Sequence, residues 1–77
     1  MIEGINLNRF PERLKYLRKI KGVTQTQLSK QLGYGYTAIS NYENFQHEAS
    51  YDTLIKMAQY FEVSIDYLLG FDDDLEP

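Results

Sequence analysis

The sequence predicts an all-α fold of five short helices. Apolar residues recur three or four positions apart in five separate stretches. Ser, Thr or Asn precedes four of these stretches, Gly follows three, and no segment reads as a strand or a repeat.

The opening "MIEGINLN", residues 1–8, has no helical period and reads as an arm. From Phe10 the stripe Phe10, Leu14, Leu17, Ile20 predicts the first helix, with all four inward. Asn8 suits its cap, Pro11 its first turn, where a missing N–H is tolerated, and Gly22 its stop. Thr24 followed three residues later by Gln27 forms a capping box, so a second helix starts at Gln25, buries Leu28 and Leu32, and ends at Gly33. About two turns long, it needs neighbours to be stable. A third helix, residues 36–44, follows the turn "GYG" with Ile39 and Tyr42 inward. "FQHEAS" reads as a loop. Ser50 caps a fourth helix with Leu54, Met57, Ala58 and Phe61 inward. Ser64 caps a fifth with Ile65, Leu68 and Leu69 inward and Gly70 as its stop. Residues 9–70 form one domain, and residues 71–77, "FDDDLEP", an acidic tail that frays. With so short a tail, no ligand-sensing domain is expected.

Composition excludes several classes of function. No cysteine is present, so no disulfide or thiolate chemistry is expected, and the single histidine, His47, reads as a loop residue. The run Asp72, Asp73, Asp74 lacks the turn glycine and terminal Glu of a calcium loop. The sequence therefore predicts no metal, no cofactor and no enzyme: catalysis needs a nucleophile or base held by a second group in a water-poor cleft. Without a spanning segment or a signal pattern, a cytoplasmic protein with no membrane partner is expected. The net charge of −3 hides a polarity: Arg9 to Lys30 carries seven Lys or Arg and one acid, whereas Gln31 onward carries one base, Lys56, and nine acids.

Two short helices joined by a tight glycine-containing turn have the helix-turn-helix pattern, which lays one helix over a phosphate backbone and the other into the major groove. The ordered markers Gly22-Val-Thr24-Gln25, Leu32-Gly33, Ile39-Ser40-Asn-Tyr42-Glu43 and Leu68-Leu69-Gly70 resemble the Cro and lambda-repressor type of helix-turn-helix, the xenobiotic-response-element family of bacterial and phage regulators. The resemblance runs from about Phe10 to Gly70. It implies a compact five-helix DNA-binding domain with helices two and three as the reading unit, and a sequence-specific transcriptional regulator, a repressor, working as a homodimer on a roughly palindromic site in double-stranded DNA. It further implies that Tyr36, Thr37, Ser40 and Asn41 face base edges. Gln25, with Thr24, Lys30 and Tyr34, would meet phosphates, and Arg18 and Glu43 would form a buried ion pair.

The chain also departs from the pattern of the family it resembles. That family often has Arg at positions 36 and 41, Gly at 45, bases around 46 and 47, and Pro at 49. Here Tyr36, Asn41, Phe45, Gln46, His47 and Ala49 stand there. Without the glycine, Asn44 is expected to take the left-handed cap of helix three. A second reading follows from the acidic half and the missing bases: an interaction module on the same fold, meeting a protein partner through its acidic C-terminal half. Tyr51, Tyr60, Tyr67 and Phe71 exceed what so small a core can hide, which predicts an aromatic surface patch near the C-terminal helices.

Overall fold

The structure, a computed structural model, describes residues 9–72. The arm, the Asn8 cap and the tail from residue 73 onward lie outside the described residues. Five α-helices follow one another: α1 Arg9–Lys21, α2 Gln25–Gln31, α3 Ala38–Glu43, α4 Tyr51–Phe61 and α5 Ile65–Leu69, with no strand among the described residues. Each helix contributes one apolar stripe to a common core of Phe10, Leu14, Leu17, Leu28, Ile39, Leu54, Met57, Val63, Tyr67 and Leu68. α1 is the central element, packed on both α3 and α5, and α4 closes against α5.

The first stripe needs one correction. Ile20 is 59% exposed. The helical period that buries Phe10, Leu14 and Leu17 continues to Lys21, whose ammonium stands 4.8 Å over the Tyr60 ring. A lysine stem covers apolar surface there, as amphipathic side chains do.

Tyr67 is likewise drawn from the expected surface patch into the core. The Arg13 guanidinium lies 4.2 Å over its ring and donates to the Tyr67 carbonyl at 3.1 Å. The same guanidinium donates to the Asp72 carbonyl at 3.1 Å, so the first two residues of the predicted tail are tied back to α1. Gly70 ends α5 with φ 91°, and a Cβ there would fall 2.5 Å from Arg9 Cγ. Only glycine fits both the left-handed backbone and the crossing of α1 over α5.

All five helices close by one hydrogen-bond scheme, in which the amide of the left-handed residue and the amide after it reach back to the last turn. Gly22, Gly33 and Gly70 supply the left-handed residue for three of them. Phe45 and Glu62 supply it for α3 and α4, at φ 63° and 59°. The cap expected at Asn44 is thus displaced by one residue: Asn44 stays at φ −97°, and Gln46 N–H donates to the Asn41 carbonyl at 2.8 Å. The hydrogen-bond pattern fixes the position of the left-handed residue, and the side chain found there conforms to it.

Glu62 is exposed, so its strain is relieved without loss of packing. Glu62→Gly is expected to stabilise the domain by about 0.5–1 kcal/mol, the left-handed penalty of roughly 1–2 less the extra freedom of an unfolded glycine. A thermal melt should show a rise of a few degrees; an unchanged or lower midpoint would rule out the strain.

Candidate nucleic-acid interface

α2 starts at the predicted capping box: Thr24 Oγ1 accepts from the Gln27 amide at 3.0 Å, and Gln27 Oε1 accepts from the Thr24 amide at 2.8 Å. It stops at Gly33, where the Tyr34 amide donates to the Ser29 carbonyl at 2.8 Å. The chain then turns through Gly35, whose carbonyl accepts from the Ala38 amide at 3.1 Å, and α3 begins. Residues 36 and 37, expected on the third helix, form the end of this turn. The N-cap Thr37 has φ −98° and ψ 3° and makes no cap hydrogen bond with its side chain. The Ile39 amide, which such a cap would engage, donates instead to Ser29 Oγ on α2 at 3.2 Å. Ser29 and Ile39 are both fully buried.

The inward side of α3 is held from three directions. Ile39 enters the core, and Tyr42 meets the Phe10 ring edge-to-face at 5.9 Å. Glu43 receives Arg18 as a fork: Nε donates to Oε2 at 2.7 Å and Nη2 to Oε1 at 3.1 Å, with Arg18 Nη1 donating to the Val23 carbonyl at 3.0 Å. Gln25 Nε2 donates to Glu43 Oε1 at 2.9 Å. One carboxylate thus binds the end of α1, the start of α2 and the end of α3.

The structure brings some of the sequence-predicted site residues together and separates others. Tyr36 and Thr37 are exposed in the turn before α3, and Ser40 and Asn41 are half-buried on α3. Ser40 Oγ accepts from Asn44 Nδ2 at 3.3 Å. Gln25 stands at the first turn of α2 with its amide directed to Glu43, and Thr24 serves the capping box. Tyr34 is half-buried, its hydroxyl donating to Thr53 Oγ1 at 3.2 Å and its ring lying 4.9 Å beneath the Lys56 ammonium, which turns it toward α4.

The basic side chains are unevenly available. Arg13, Arg18, Lys21 and Lys56 all have intramolecular partners, Lys56 donating to the Leu32 carbonyl at the end of α2 at 3.2 Å. Lys30, exposed in the last turn of α2, is the sole Lys or Arg between Gly22 and Ile55. No helix among the described residues is long and apolar enough to cross a membrane.

Sequence reasoning missed Ser29 and Thr53. A small polar residue beside Leu28 on so short a helix gives no signal of burial, because its partner comes from another helix. Thr53, 5% exposed, joins the Ser50 cap to Tyr34.

A family model described as helix-turn-helix matches residues 14–68. Among curated relatives, the HTH-type transcriptional regulator ImmR of Bacillus subtilis is 40% identical over 62 residues, covering 80% of this chain and 49% of the relative. The uncharacterized HTH-type transcriptional regulator YobD of the same species is 35% identical over 66 residues, covering 86% and 59%. The cryptic phage CTXphi transcriptional repressor RstR of Vibrio cholerae is 34% identical over 62 residues, covering 80% and 55%. The chain thus spans about half the length of these relatives. With the match extending from the middle of α1 almost to the end of α5, and with the capping box, glycine turn and buried Arg18–Glu43 pair in place, the chain belongs to the helix-turn-helix family of the Cro and lambda-repressor type.

Proposed function

We propose that this protein is a sequence-specific DNA-binding transcriptional regulator, a repressor, that reads the major groove with α3 as a homodimer on a roughly palindromic site. The observation that carries this reading is the division of α3 into two faces. Ile39, Tyr42 and Glu43 anchor it, while Tyr36 and Thr37, in the turn that leads into it, are exposed and Ser40 and Asn41 are half-buried. An amide and three hydroxyls are suited to base edges: Asn pairs bidentately with adenine, and a Thr methyl meets a thymine methyl. The names of the relatives, regulators and one phage repressor, agree with it.

With one Lys on the reading unit, few phosphates are neutralised, so non-specific affinity is expected to be weak. Backbone amides and hydroxyls then supply most of the positioning. Selection of bound duplexes from a random pool tests the reading, followed by a salt titration of the best sequence. An enriched palindrome bound more weakly as salt rises supports it; no enrichment even at about 50 mM salt removes it. On the enriched site, Asn41→Ala is expected to relax preference at one base pair by about 1–3 kcal/mol, read as relative affinities for the four bases there. Equal weakening on every sequence would make Asn41 a positioning residue.

Support for the dimer comes from an apolar groove of about 330 Å³ lined in part by Phe10, Pro11, Phe45, Tyr51 and Leu69. Tyr51 is 85% and Phe71 62% exposed beside these helices. A two-fold pair would set two α3 helices about 34 Å apart, one DNA turn. Sedimentation of the free chain and of its DNA complex is expected to show two chains per site, and one chain per site would exclude the dimer.

A further inference from the structure

The side chain best placed to cap α3 does not cap it. Thr37 occupies the N-cap position, yet its hydroxyl makes no cap bond, and its ψ of 3° lies far from the extended conformation that capping requires. The other caps behave as expected: Thr24, Ser50 and Ser64 have ψ between 158° and 169°, and each accepts an amide from its own first turn. The difference lies in Ser29. Its hydroxyl reaches across from α2 and accepts the Ile39 amide, the second of the helix, inside the core.

We infer that Ser29 is a positioning residue that caps α3 from α2 and thereby leaves the exposed Thr37 hydroxyl and methyl to a DNA base edge. This rests on the regulator reading above. A threonine that caps its own helix turns its oxygen inward to the amides, so it serves either the helix or the groove. Ser29 removes that conflict. It also fixes where α3 starts against α2, because the bond joins two fully buried atoms on different helices. Without it, the Ile39 amide is a buried donor in search of a partner, and the nearest in sequence with the right chemistry is Thr37. The backbone at Thr37 would swing to the extended region, and the side chain would leave its exposed position.

Ser29→Ala deletes one oxygen, leaves the apolar core whole, and should preserve cooperative unfolding. Two measurements then decide. In the free protein, Thr37 Cα and Cβ chemical shifts are expected to move toward extended values in Ser29→Ala, with Ile39 amide protection kept in that variant and lost in Ser29→Ala/Thr37→Ala. On DNA selected by the wild type, Ser29→Ala is expected to lose about fivefold of discrimination at one base pair with the salt slope unchanged, the size of a single base contact. Thr37→Ala should lose it at the same base pair, and the double variant no more than either. Unmoved Thr37 shifts, or base preferences that remain in Ser29→Ala, overturn the proposal while the regulator reading stands. Additive losses at two different base pairs overturn it as well, since Ser29 would then not act through Thr37. A wild-type chain that enriches no motif overturns the regulator reading itself and, with it, the reading role of Thr37.

Discussion

Arg18→Met is expected to lower stability by about 3–5 kcal/mol, because the Glu43 carboxyl would be left in a buried site with its main partner gone. Glu43 is 9% exposed, and its two oxygens accept both Arg18 donors and the Gln25 amide. After the substitution only the Gln25 amide remains, a neutral donor. A chain of 77 residues has a total stability of roughly 4–12 kcal/mol, so much of the population would unfold. Urea titration of the two chains checks this. The double variant Arg18→Met/Glu43→Leu should recover most of the loss, since replacing both members of a buried pair with apolar groups is often neutral. A loss under 1 kcal/mol in the single variant would mean that water reaches the carboxylate and screens it.

Leu28→Ala is the second large effect, about 2.7–5 kcal/mol. Leu28 is fully buried on α2, a helix of seven residues that has no stability of its own. The change removes apolar contact and leaves a cavity beneath the α2–α3 junction, next to Ser29. Partial collapse of that cavity would move α2, so the low end of the range should come with altered Ile39 amide protection and the high end without it. Denaturant midpoints with hydrogen exchange at Ile39 separate the two. A loss below about 1 kcal/mol would show that the site is packed loosely, against its full burial.

Most of the fold is legible in the sequence because local chemistry and tertiary packing agree. Thr24 with Gln27, Ser50 and Ser64 cap where their spacing predicts, and Gly22, Gly33 and Gly70 stop where a left-handed residue is required. The pairing of Arg18 with Glu43 was expected from the family pattern that the chain resembles, and the fork is there. What escaped the sequence depends on partners far along the chain. Ile20 and Lys21 are neighbours in sequence and both exposed, and which of them meets the Tyr60 ring depends on helix phase relative to α4. Tyr67 is buried because Arg13, 54 residues away, covers it. The end of α3 escaped for another reason: propensity favours Asn44 for the left-handed position, but hydrogen-bond register assigns it to Phe45. At the candidate interface, the exposure of Tyr36 and Thr37 and the half-burial of Ser40 and Asn41 follow from the period of one helix and its preceding turn. The inward turn of Tyr34 and the commitment of the Gln25 amide follow from α4 and α3, which local spacing does not encode.

The two faces of α3 carry different mutational loads. Ile39, Tyr42 and Glu43 are bound to the core, so change there is paid for in folding. At Tyr36, Thr37 and Asn41, by contrast, no side-chain hydrogen bond ties the residue to another among the described residues, where the Ser40 hydroxyl meets its neighbour Asn44. Substitutions on that side should drift almost neutrally with respect to stability. On the proposed regulator reading, a lineage carrying this domain would pass from one target sequence to another through intermediates that all fold, and repeated retargeting would leave the scaffold intact.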